Sequence, residues 1–143
     1  DENQELHYLV KPRNGYFDSM LTECGPPAVV TEHGIILFYN GKNGSSTEGD
    51  PAYPSYTYAA GQMLFNKENP LELLERLDKP FFRPMLEFEK SGQYASGTVF
   101  IEGLVLHNGK YYLYYGCADS FVGVAVYDPE NSARIGDPII LNE

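Results

Sequence analysis

Two stretches of this chain carry the same glycine punctuation, and that repeat limits the possible folds more than any other feature. Gly34, Gly41, Gly61 and Asn69 in the first copy match Gly109, Gly116, Gly123 and Asn131 in the second. Gly34 to Gly41 and Gly109 to Gly116 are equally spaced, as are Gly61 to Asn69 and Gly123 to Asn131. Apolar runs fill the intervals: 28–31 and 35–40 flank His33-Gly34, and 104–107 and 110–116 flank Asn108-Gly109. Asn-Gly between such runs signals a hairpin, because both residues tolerate the positive φ of a type I′ turn. Further strands are predicted at 56–66, 99–103 and 122–127, with a weaker one at 6–10. Helical periodicity is nearly absent. Only residues 70–77 (PLELLERL), after Asn69, read as a short surface helix or turn.

Repeated four-stranded units with closely spaced turn signals are the signature of propeller blades. The expected fold is therefore all-β, about two four-stranded blades of a β-propeller. Residues 1–21 would end a preceding blade, 22–98 form one blade with a long loop at 42–55, and 99–143 form the next. A blade buries its faces only against its neighbours, so two blades alone would leave apolar faces bare. That points to part of a larger propeller. A β-sandwich of seven or eight strands is the competing architecture. Loop 42–55 is the main difference between the copies and is rich in Gly, Ser, Asn and Pro. Insertions of this kind either cover a binding site or form irregular surface.

Composition narrows the partners. The formal net charge of −10 over 143 residues disfavours nucleic acid and anionic membrane surfaces, which need clustered cations. A neutral sugar is compatible with it. Cys24 and Cys117 form neither a disulfide framework nor a CxxC metal motif, and both are expected to be small, at least half-buried thiols. The compartment stays open. The chain starts at Asp1 with no initiator Met or signal peptide, as a mature product, a trimmed chain or a fragment would. His7, His33 and His107 stand in a weak strand or beside turns with no metal-binding spacing, and no metal or organic cofactor is implied. No nucleotide-binding or serine-hydrolase motif is present.

Carboxylates are the remaining acid/base equipment. Glu23 precedes Cys24-Gly25-Pro26-Pro27, where the prolines interrupt any ladder. Glu102 stands within the apolar run 98–105, and Asp119 follows the aromatic run that ends at Gly116. A charge in an apolar strand is costly unless it is paired or faces a wet cavity. Each of the three is thus a candidate for chemistry, or for a turn cap or ion pair. Cleavage of a glycosidic bond needs two carboxyl groups flanking it, about 6.5–9.5 Å apart in an inverting enzyme.

At these residues the chain resembles glycoside hydrolase family 130, the β-mannoside phosphorylases and β-1,2-mannosidases. The resemblance runs through Glu23-Cys24-Gly25-Pro26-Pro27-Ala28, Ile36-Leu37-Phe38-Tyr39-Asn40-Gly41 and Gly61-Gln62-Met63-Leu64-Phe65 with Asn69-Pro70. It resumes from Arg76 to Pro84, at Val99-Phe100-Ile101-Glu102-Gly103-Leu104 and at Tyr114-Tyr115-Gly116-Cys117-Ala118-Asp119-Ser120. It implies a five-bladed propeller with its active site at the central channel, of which these segments resemble the C-terminal half. It implies that the general acid is an Asp in the N-terminal half, for which no position here is evident. Phosphorylase members carry Lys ahead of the Gly-Pro-Pro turn and His before the next strand's closing glycine, where this chain has Leu21 and Asn40. Losing those cations favours water over phosphate as nucleophile, with Glu23 or Glu102 as its general base. Asp119 resembles the family's contact to sugar hydroxyls, and Asn40, Tyr58 and Lys42 are further substrate-binding candidates.

The expected activity is therefore part of an inverting β-mannosidase acting on a mannose-containing oligosaccharide. A phosphorylase using inorganic phosphate is the first alternative. A non-catalytic carbohydrate-binding or propeller-completing module is the second, with the missing propeller half or other copies of the chain as partner.

Overall fold

Strand-forming residues organise the chain into two antiparallel sheets. A computed structural model of the chain describes residues 8–131. The first sheet contains β1 (Leu21–Cys24), β2 (Val29–Val30), β3 (Ile35–Lys42), β4 (Tyr58–Phe65) and β5 (Leu73–Arg76). Its order is β1-β3-β4-β5, with β2 also paired to β3. β1 and β2 are two halves of one inner strand, parted where Pro26 and Pro27 remove ladder donors. The second sheet is β6 (Val99–His107), β7 (Lys110–Cys117) and β8 (Phe121–Tyr127), in that order. A fourth strand for this sheet would fall beyond residue 131, outside the described residues, as do His7 and the start of the weak strand at 6–10. Residues 8–10 form no strand.

Period-two alternation places the core. Ile36, Phe38 and Ala60 project from one face of the first sheet against Val99, Ile101, Leu113, Tyr115 and Cys117 of the second. Phe81 and Phe82, on the connection between the sheets, pack into the same cluster. Tyr39, Ala59, Met63 and Phe65 project the other way and are covered by Phe17 and Val10. The first sheet is thus buried on both faces. The second is buried on one face only, leaving Val105, Tyr114, Val122, Val124 and Val126 exposed on the other.

Two expectations change. Residues 70–77 are not helical: Asn69 and Glu72 close a turn, and Leu73–Arg76 joins β4 as an edge strand. The ladder offered by β4 outweighs the propensity of a segment too short to hold a helix alone. The runs 99–103 and 104–107 are one strand, β6, interrupted by a bulge between Ile101 and Gly103. The repeat itself holds, shifted by one residue. Tyr39 lies opposite Gly61 and Tyr115 opposite Gly123, so the register aligns Tyr39 with Tyr115 and Gly41 with Cys117.

Loop 42–55 is held by its own hydrogen bonds. Asn43 is buried and donates to the carbonyls of Asp50, Tyr53 and Pro54, while its Oδ1 accepts from the Asp50 N–H. One side chain thereby replaces the ladder that an irregular segment lacks.

Candidate active site

The start of β6 exposes alternate residues. Val99 and Ile101 are fully buried in the inter-sheet core, so Thr98, Phe100 and Glu102 lie on the opposite side. The three border a cleft of about 210 Å³, together with Tyr58, Tyr94 and Asp119. Each wall has its own cause.

Glu102 is the extra residue of the β6 bulge, a device that re-aims a side chain out of the ladder. It is exposed, so its charge stays hydrated within an otherwise apolar strand. Asp119 sits at the tip of the β7–β8 hairpin, where Ala118 and Asp119 have φ of 48° and 55° and the Ser120 N–H donates to the Cys117 carbonyl. That is type I′ geometry without glycine. Ala118 is fully buried in this conformation, a local strain of the kind that collects at functional sites.

Tyr58 opens β4 and is the centre of an aromatic cluster. Its ring meets Phe100 edge-on at 5.8 Å between centroids and Tyr94 at 6.1 Å. The Lys42 ammonium sits 4.8 Å from the same ring centroid. Tyr94 is carried by the connection between the sheets, which is anchored at both ends of its turn. Glu89 is buried there and accepts from the backbone N–H groups of Met85 and Leu86 and from the Tyr115 hydroxyl. Thr57 donates to the Ser96 carbonyl at 2.7 Å, and the Tyr58 N–H to the Gly97 carbonyl.

The structure thus brings Tyr58, Glu102 and Asp119 to one cleft, with Lys42 stacked on its wall. Glu23 and Asn40 are not among the lining residues. Glu23 is exposed on β1, directly opposite Asn40 in the ladder. The Asn40 amide is fully buried and pairs with the Ile101 backbone in both directions, at 3.0 and 2.7 Å. None of residues 43–55 lines the cleft either. Tyr94, Thr98 and Phe100 were not singled out from sequence, although the 98-100-102 alternation against Val99 and Ile101 was there to find. Tyr94 left no such signal, because its position depends on how the connecting segment packs.

The cysteines differ from expectation in one respect. Cys117 is buried, and burial with the neighbouring Glu89 pushes its thiol pKa up. Cys24 is exposed, since the Gly-Pro-Pro interruption leaves the end of β1 uncovered.

Similarity to known proteins agrees with this geometry. The glycoside hydrolase family 130 model, described as β-1,4-mannooligosaccharide phosphorylase, matches residues 2–132. A β-1,2-mannobiose phosphorylase of Thermoanaerobacter sp. (strain X514) is 29% identical over 121 residues, covering 85% of this chain and 36% of the relative. A glycosyl hydrolase structure from Bacteroides ovatus is 60% identical with a TM-score of 0.88, covering 94% of this chain and 37% of that one. A structure reported for family 130 glycoside hydrolases that target β-1,2-mannosidic linkages in Candida mannan is 57% identical, with a TM-score of 0.89. It covers 96% of this chain and 38% of that one, so the chain spans little more than a third of the proteins it matches. The two sheets are two blades of the family's propeller, and the chain belongs to glycoside hydrolase family 130.

Proposed function

We propose that these residues form part of the sugar-binding channel of an inverting β-mannosidase, with Glu102 as the base that activates water. The observation that carries this reading is the composition of the cleft lining: three aromatic rings, two of them tyrosines, two carboxylates, a threonine hydroxyl and no cationic side chain. Aromatic faces suit the C–H faces of a sugar ring, and carboxylates accept hydrogen bonds from its hydroxyls. The same two carboxylates repel a phosphate dianion. Leu21 and Asn40, in place of the phosphorylases' Lys and His, weigh the same way, as does the higher identity to the mannan-directed hydrolases than to the mannobiose phosphorylase. Asp119 is the proposed contact to sugar hydroxyls. Glu23 is the alternative base, on the neighbouring inner strand. The acid would be supplied by the part of the polypeptide that this chain does not span.

Phosphorolysis is the second reading, favoured by the relatives' activities and by Lys42, whose ammonium lies on the Tyr58 ring beside the cleft. Product analysis separates the two in the polypeptide that joins these residues to an acid-bearing half. With β-1,2-mannobiose, the hydrolase releases mannose at a rate independent of phosphate; mannose 1-phosphate as the product means phosphorolysis. Glu102→Gln is expected to lower turnover by about 10²-fold or more while leaving thermal stability unchanged. A loss below about tenfold assigns the base elsewhere. Binding without turnover of either kind favours a non-catalytic module.

A further inference from the structure

The cleft contains a polar atom that the fold leaves unused. Thr98 is only 3% exposed, yet its Oγ1 has no hydrogen-bond partner. Its backbone is fully employed: the N–H donates to the Glu89 carbonyl, and the carbonyl accepts from the Ala118 N–H. These two bonds pin Thr98 between the Tyr94-bearing connection and the strained hairpin that presents Asp119. The side chain borders the cleft on the same side of β6 as Phe100 and Glu102. A buried hydroxyl without a partner is uncommon, because it has given up water for nothing. No hydrogen bond holds Oγ1 in its present rotamer, so a χ1 rotation that turns it to the cleft would let a ligand there supply the missing partner.

We propose that Thr98 Oγ1 is a specificity-determining contact, hydrogen-bonded to one hydroxyl of a single pyranose ring. The ring would lie against the Tyr58, Tyr94 and Phe100 wall, with Glu102 and Asp119 at its edge. The cleft, of about 210 Å³, has room for one sugar ring. A threonine hydroxyl both donates and accepts, and rotates to suit its partner. It therefore pairs with a sugar hydroxyl in either sense, while its fixed position selects which hydroxyl is read. This inference rests on the sugar-binding reading above and adds to it a residue and a ring-level selectivity.

Thr98→Val keeps the shape and removes the hydroxyl; Thr98→Ser keeps the hydroxyl. The test is calorimetric binding of methyl β-mannoside and its monodeoxy analogues to the polypeptide that joins these residues to an acid-bearing half, as wild type and as both variants. Wild type and Thr98→Ser are expected to bind alike, and Thr98→Val about three- to tenfold more weakly. One deoxy analogue should lose the same factor on wild type and nothing further on Thr98→Val. Unliganded Thr98→Val should melt at the same temperature as wild type or higher, since an unsatisfied group has been removed. Three results overturn the inference. A Thr98→Val that binds as tightly as wild type does so while leaving the sugar-binding reading intact. A Thr98→Val with a clearly lowered melting temperature does so too, because the hydroxyl then has a structural partner. A wild-type polypeptide of that length that binds no mannoside overturns both the inference and the reading beneath it.

Discussion

Tyr39 and Tyr115 occupy the same place in their respective sheets, each lying over a glycine of the next strand. A Cβ on Gly61 would overlap the Tyr39 ring, and one on Gly123 would come within 2.6 Å of the Tyr115 ring. Each phenol reaches past its glycine to a buried carboxylate from the segment preceding its sheet. Tyr39 donates to Asp18 at 2.6 Å and Tyr115 to Glu89 at 2.7 Å. Asp18 also takes Arg76 at 2.6 Å and Arg13 at 3.1 Å, so its charge is compensated despite complete burial. Burial raises both phenol pKa values, helped by the charge of Asp18 at Tyr39 and the hydrogen bond to Glu89 at Tyr115. A raised folded-state pKa gives stability that is complete below the unfolded value of about 10 and is lost as pH rises towards the folded one. Urea midpoints are therefore expected to fall from pH 10 upward. Tyr39→Phe and Tyr115→Phe should each flatten that fall, starting about 1–3 kcal/mol less stable at neutral pH because a buried carboxylate loses its donor. The two glycines were legible as landmarks; the carboxylates were not, because nothing in the spacing ties Asp18 or Glu89 to a tyrosine far along the chain.

At the scale of elements, one buried amide ties β3 to β6 within the apolar contact between the sheets. Among the described residues β6 pairs only with β7, so the Ile101 N–H and carbonyl point off that ladder, and Asn40 on β3 takes both. Asn40→Leu would leave both groups buried without partners, at about 1–3 kcal/mol each. Chemical denaturation should show that loss. A substrate contact would instead show weakened sugar binding at unchanged stability, so the same variant also tests the substrate-binding role expected from sequence. The hairpins were readable because turn chemistry is local: Asn108 and Gly109 take φ of 50° and 75°, as their residue types invite. Residues 70–77 were expected to be a short surface helix or turn; the turn is there at 69–72, but β5 follows it because its pairing partner, β4, decides its conformation, and a leucine-rich run of that length fits either state.

At the scale of the whole molecule, the two faces of the blade pair are unequal. The outer face of the second sheet exposes Val122 at 82%, Val126 at 54%, Val124 at 49%, Val105 at 48% and Tyr114 at 43%. A contiguous apolar sheet face of this kind is an association surface. Sedimentation velocity on the 143-residue chain is expected to show concentration-dependent self-association. Val122→Lys with Val124→Lys should suppress it without lowering the melting temperature, because neither side chain packs in the core. A monodisperse monomer at high concentration would count against that expectation. Two blades alone were expected to leave apolar faces bare, and β6, β7 and β8 carry such a face.

The sequence by itself determined the elements whose causes are local: the hairpin turns, the alternation that divides core from surface, the glycine marks of two similar units and the family to which they belong. It also singled out Glu102 and Asp119, because a charge within or beside an apolar strand stands out without any coordinates. Only the tertiary structure decided how the units register, which carboxylate each tyrosine meets and which residues share the cleft. Those outcomes depend on contacts between residues distant in the chain. A bulge of one residue aims Glu102, and a connecting segment brings Tyr94 across to Tyr58. The orphaned hydroxyl of Thr98 follows from the same long-range packing, since only the folded chain shows that a buried side chain has no partner.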